Sequence, residues 1–210
     1  MSGSLRKSDS DAEGEVGKFL DNNFFPKISK NFKRRTSYEE QMQGIDVSFD
    51  LDGETNLLVD EKAMVQYVNK GLPTFAFEVS FKSSSGREVG GWLFDKLKLT
   101  QYYIIIWIWA TQEKGFKESD ITKIELILVK RNAIIHMLEK YNLNENKISE
   151  IVSKIRLEKI TGACFKDSAR PLYFFHSDKL IESPINIVIR KEELLKIASG
   201  HHIISNKSHL

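Results

Sequence analysis

Gln43-Gly44-Ile45-Asp46-Val47 is followed, after a short turn, by Leu57-Leu58-Val59-Asp60-Glu61-Lys62. The two segments set two carboxylates and one ammonium on neighbouring strands. Carboxylates in contact repel, and one of them keeps its proton unless a positive charge intervenes. Oxygen ligands with a lysine beside them, rather than His or Cys, suit magnesium, with manganese as a substitute; such ions keep several waters and bind substrate phosphate oxygens. An ion held by Asp46 and Asp60 would polarise a phosphate and activate a water, while Lys62 stabilises charge on the phosphate or positions that water. The chemistry implied is hydrolysis of a phosphodiester.

The elements that must position these groups follow from strand parity, because successive side chains point to opposite faces. Ile45, Val47, Phe49 and Leu51 alternate with Asp46, Ser48 and Asp50. Leu57 and Val59 take the core face of the second run, so Asp60 and Lys62 share the opposite face with Leu58. Asp52-Gly53 is a hairpin signal. A simple two-residue turn there would pair Val47 with Leu58 and put apolar side chains on both faces. An odd-length loop or a bulge pairs Val47 with Val59 and Phe49 with Leu57, and brings Asp46 beside Asp60.

This spacing resembles the PD-(D/E)XK nuclease superfamily, through Gly44-Ile45-Asp46-Val47 for the first acid and Asp60-Glu61-Lys62 for the D-X-K half. Ile45 stands where the family's name has Pro, a position that varies in the family. The resemblance covers roughly residues 12–110. It implies a restriction endonuclease-like α/β core, with a central mixed β-sheet flanked by helices and additional C-terminal α+β elements. It also implies Asp46 and Asp60 as metal ligands, Lys62 as a catalytic residue, and an acid from a preceding helix. That helix is expected from a cap at Ser10-Asp11 through Leu20. Glu13 lies on or beside its buried stripe and is preferred as the helical acid over Glu15, which aligns with the mixed face of Lys18, Phe19 and Asn22.

A competing arrangement uses the strand Phe75–Lys82, where Glu78 would pair with Asp60, but Ser80 then stands where the lysine belongs. Tyr102–Ala110, rich in β-branched and aromatic residues, is expected as the central strand, buried on both faces and far too short to cross a bilayer. Lys27, Lys30, Lys33, Arg34 and Arg35 form a basic cluster before the first acidic strand, suited either to backbone phosphates or to a solvated face. Residues 132–141 and 147–155 have helical spacing; a helix-turn-helix that grips DNA is one reading, and a pair of helices covering a sheet is the favoured one. Short strands at Pro171–Phe175 and Ile185–Ile189 precede a last helix, Lys191–Ser199, ended by Gly200. His201-His202 reads as a solvated tail.

The 210 residues, 41% hydrophobic, allow a sizeable core. No linker is legible, so one domain over 1–210 is expected, with a core at about 10–130, an extension at about 130–200 and a disordered start over 1–8. The single Cys164 excludes an intramolecular disulfide and fits a reducing cytoplasm. The reading that results is a magnesium-dependent DNA endonuclease of a restriction or defence kind, with a homodimer if both strands are cut in one event. A non-catalytic nucleic-acid-binding or assembly protein on the same fold is the alternative. A small-molecule phosphoesterase fits the metal chemistry but lacks a phosphate-cradling glycine motif.

Overall fold

The computed structural model describes residues 2–167 and 170–206, with side chains from Asp9 onward. The disordered start expected over 1–8 falls on Met1, outside the described residues, and on residues whose side chains are not described. The chain divides into two compact units, Met1–Leu72 with Leu99–Lys130 and Ala198–Leu210, and Pro73–Lys98 with Arg131–Ile197, where the sequence suggested one domain. Two of the junctions run directly from strand to helix at Lys130–Arg131 and from helix to strand across Ile197. No linker composition marks them.

The first unit holds helix α1 (Ser2–Asn23), two short helices α2 (Phe25–Ile28) and α3 (Tyr38–Met42), and one six-stranded sheet. Its strands lie in the order β1 (Lys33–Arg34), β2 (Val47–Leu51), β3 (Glu54–Ala63), β6 (Tyr102–Ala110), β7 (Ile121–Lys130) and β11 (Ala198–Ser205). β3 and β6 run parallel and the other neighbours antiparallel, so the sheet is mixed. β6 lies inside it, and all of its residues but Trp109 are buried, as its composition implies. Val16, Phe19 and Leu20 of α1, spaced for one helical face, pack in a core with Val47, Phe49, Leu57, Val59, Ile104, Ile106 and Ile108. α1 runs through Ser10-Asp11, so the expected cap is not the helix start.

The β2–β3 hairpin has the register that burial demands: Val47 pairs with Val59 and Phe49 with Leu57. Asp52 (φ 50) and Gly53 (φ 84) do form a two-residue turn, and Leu51 pairs with Glu54. A bulge in β3 restores the parity: Asn56 takes φ 52 and donates its N–H to Asp50 Oδ1 at 2.7 Å. β11 is the element the sequence hid. His201-His202 is no free tail but pairs with β7; the His202 ring meets Phe24 edge-on at 5.0 Å, and His201 contacts Glu125 at 3.1 Å. A long-range edge pairing needs no hydrophobic alternation of its own, so the local sequence gave no sign of it.

The second unit is an antiparallel sheet in the order β5 (Glu88–Gly90), β4 (Thr74–Lys82), β10 (Ile185–Arg190), β9 (Leu172–His176) and β8 (Gly162–Cys164). Its helices are α4 (Arg131–Lys140), α5 (Glu145–Leu157) and α6 (Lys191–Lys196). α4 and α5 bury Ile134, Met137, Leu138, Ile148, Val152 and Ile155. α6 stops at Lys196, short of the expected Ser199, because Ala198 already belongs to β11. β4 does not extend the first sheet. Glu78 and Asp60 therefore stand on strands of different sheets, not on neighbouring strands of one. Among the described residues no helix is long and apolar enough to cross a membrane.

Candidate active site

Asp46 is placed by a helix end. Ser37 caps α3, accepting the Glu40 N–H at 3.2 Å, and Gly44 closes it. Gly44 has φ 71 and donates to the Gln41 carbonyl, a left-handed conformation that favours glycine at a helix end. The Thr100 hydroxyl clamps the Gly44 carbonyl at 2.7 Å. The glycine of Gly44-Ile45-Asp46-Val47 thus turns the chain out of α3 and delivers Asp46 to the point where β2 begins. There the Asp46 N–H meets the Val59 carbonyl and its own carbonyl accepts the Arg35 N–H. Its carboxylate replaces the missing ladder partner, accepting the Glu61 N–H at 2.7 Å.

Asp60 and Lys62 leave β3 on the same side, and the Lys62 ammonium lies 2.7 Å from Asp60 Oδ1. Asp60 is 4% exposed and lies beside the Asp46 carboxylate. Burial pushes the Asp60 carboxyl up to about 7; Lys62 opposes the rise and Asp46 adds to it. Burial weighs against the Lys62 charge, but Asp60, Asp46 and Glu13 outweigh it and hold the ammonium above its ordinary value. Glu13 is raised too, by desolvation first and by Asp46 and Asp9, against Lys62. The fold therefore brings Glu13, Asp46, Asp60 and Lys62 into one electrostatic cluster. Glu15 stays out of it, bound to Lys18 at 2.9 Å and accepting the Glu118 N–H at 2.9 Å.

Glu61 is the residue that the sequence reading passed over. It shares its side of β3 with Val59 and Ala63, and with Glu13, Gly14, Gly17, Arg34 and Asp46 it lines a cleft of about 370 Å³. Asp60 and Lys62 do not line this cleft. The Arg34 guanidinium grips Glu61 Oε2 at 2.5 Å and Asp21 Oδ1 at 2.6 Å, and donates to the Gly17 carbonyl at 3.2 Å. Burial pushes the Glu61 carboxyl up to about 7, with Arg34 pulling against it. One signal was present: Glu61 continues the core-facing series Leu57, Val59, and a charge at such a position requires a buried counter-ion. The basic cluster splits accordingly. Arg34 serves Glu61, and Arg35 binds Ser48 at 2.8 Å and Glu40 at 3.0 Å, which leaves Lys27, Lys30 and Lys33 exposed.

Among the described residues no group of three or more His, Cys, Asp or Glu side chains is arranged to hold a metal. What the site offers is two adjacent carboxylates, Asp46 and Asp60. That set fits magnesium, which binds through one or two carboxylates and fills its remaining positions with water and phosphate oxygens.

Fold and site define a mixed α/β protein with an acid pair, Asp60 buried and Asp46 partly so, and a lysine on one hairpin. No protein-family model matches the chain, and no curated protein or solved structure does so either.

Proposed function

We propose that the first unit is a restriction endonuclease-like core and that the chain is a metal-dependent DNA endonuclease, acting in a reducing cytoplasm. The observation that carries this reading is Asp60, buried and pushed up to about 7 beside Asp46, with the Lys62 ammonium 2.7 Å from its Oδ1. Such a cluster is destabilising by itself and becomes favourable when a cation and an anion join it. Magnesium, or manganese in its place, supplies polarisation of the phosphate and a water of lowered pKa when bound. Asp46 and Asp60 would hold it, Asp60 giving up its proton. Lys62 stays charged and turns from Asp60 toward the phosphate, where it stabilises developing negative charge. Glu13, coupled to Lys62 and Asp46, would accept a hydrogen bond from the attacking water. Lys27, Lys30 and Lys33 are exposed and attract backbone phosphates.

The test is incubation of supercoiled plasmid with the protein in magnesium, in manganese and in EDTA, beside Lys62→Ala. Metal-dependent nicking or linearisation is expected, lowered about 10²–10³-fold in Lys62→Ala. Linear product appearing without a nicked intermediate would point to a homodimer. DNA binding with no cleavage under any metal would replace this reading with a non-catalytic binding or assembly protein.

A further inference from the structure

Among the described residues the two sheets end in four edge strands, and three of these are short: β1 has two residues, β5 three and β8 three. β11 has eight. Short length, charged side chains and proline are the means by which proteins keep an open edge from pairing with another chain. Residues 198–205, Ala-Ser-Gly-His-His-Ile-Ile-Ser, contain no proline, lysine, arginine or carboxylate. The strand's irregularity falls at its start, between Ala198 and Gly200, and Gly200 to Ser205 pair with β7 in unbroken register. Among the described residues β7 is the one strand beside β11, and Ile203 is 64% exposed. One bond fixes which backbone groups face outward. The Asn206 N–H donates to the Thr122 carbonyl. Antiparallel pairs alternate between exchanging both backbone bonds and exchanging none, so in this register His202 and Ile204 also bond to β7. His201, Ile203 and Ser205 turn their N–H and C=O groups away from it, and these three positions are symmetric about Ile203.

We infer that β11 pairs antiparallel with β11 of a second copy of this chain, about a two-fold axis at Ile203, so that two six-stranded sheets join edge to edge. In this register His201 stands opposite Ser205 of the partner subunit and Ile203 opposite its own counterpart. Each of the three outward positions then exchanges both of its backbone bonds. The contact is isologous, the same strand on both sides, and closes at two copies. It sets no like charges opposite each other at neutral pH. It also lays one β-branched side chain against another at the point where the single chain leaves Ile203 in water. β6 and β7 separate β11 from β3, so the inference stands apart from the proposed active site and goes beyond it.

Sedimentation velocity over about 1–100 µM protein reads the assembly, and a monomer–dimer equilibrium is expected. Ile203→Lys puts two ammonium groups face to face. Ser205→Pro removes an outward N–H and no bond to β7, as an edge strand tolerates. Each is expected to weaken the dimer about tenfold or more while melting close to wild type. Disulfide trapping in a Cys164→Ser background reads the register separately. Opposed residues of a hydrogen-bonded antiparallel pair have Cα atoms about 5.5 Å apart, within disulfide reach, so Ile203→Cys is expected to cross-link to its counterpart. Ser205→Cys would lie about 14 Å from its counterpart and is expected to stay unlinked. A protein that is monomeric throughout leaves the edge to a strand of another protein and overturns the inference. So does a dimer indifferent to either substitution, or trapping of Ser205→Cys as readily as Ile203→Cys. Neither measurement involves DNA, so failure of the endonuclease reading leaves this one standing.

Discussion

Each unit of the molecule holds a buried polar cluster, and the two are built on opposite plans. In the second unit His176 is 6% exposed; its Nδ1 meets the Ile160 carbonyl at 2.5 Å and its Nε2 meets Ser183 Oγ at 2.8 Å and Arg156 Nη1 at 2.8 Å. Arg156 also donates to Ser183 at 2.7 Å and pairs with Glu88 at 3.1 Å, and Ser80 closes the ring on Glu88. Charges and donors balance within this knot, which is how a polar group is buried at little cost. The first unit gathers Glu13, Asp21, Asp46, Asp60 and Glu61 around Lys62 and Arg34. Acid outnumbers base, and Asp60 and Glu61 are pushed up to about 7. A self-satisfied cluster needs nothing more, whereas an acid-rich one is relieved by an incoming cation. That difference locates the candidate site in the first unit.

The comparison breaks most visibly at Arg34. Arg34→Ala leaves Asp21 and buried Glu61 without their cation and is expected to cost about 3–5 kcal/mol, read from urea unfolding. A loss below about 1 kcal/mol would mean that Glu61 finds relief elsewhere. His176→Ala is the matching cut in the second unit. It strips the acceptor from Arg156 and the donor from the Ile160 carbonyl, at an expected cost of about 2 kcal/mol. Plasmid cutting per folded molecule should not change; lost cutting by a folded His176→Ala would erase the distinction between the two clusters.

The smallest effect has an unusual sign. Asp60 titrates at about 7 in the folded protein against an ordinary 3.8, so the folded state binds this proton more tightly than the unfolded one. Its contribution to stability is fully present below pH about 4 and is lost as pH rises through about 7. Asp60→Asn is therefore expected to be more stable than wild type by about 1 kcal/mol at pH 8 without metal, with the gain gone at pH 4. Manganese should raise the wild-type melting temperature more at pH 8 than at pH 6, since binding competes with the proton, and should leave Asp60→Asn nearly unmoved. Destabilisation of Asp60→Asn at pH 8 would show that the ion pair with Lys62 outweighs the burial of the acid.

Much of the site was legible because it is local. Parity alone put Asp60 and Lys62 on one side of β3, demanded an odd-length loop or a bulge, of which the bulge at Asn56 is the one formed, and set Asp46 against Asp60 across the hairpin. Glu13 rather than Glu15 followed from its angular position on α1, and the cleft wall it lines agrees with that geometry. Glu61 was hidden because its partner, Arg34, lies twenty-seven positions earlier, and a pairing of that span leaves no periodic trace. For the same reason neither reading of the basic cluster, phosphate contact or solvated face, anticipated that Arg34 serves Glu61.

The two-unit division shows the same limit at larger scale. The sequence by itself determined which segments alternate, which helix face is apolar, and that acids and a lysine meet on one hairpin, since each depends on bond geometry that repeats every two or 3.6 residues. Only the tertiary structure decided that β4 joins a different sheet from β3, that β11 returns to pair with β7, and that Arg34 neutralises Glu61. Those outcomes depend on which distant edge or charge is available when the chain closes, and no local pattern records it.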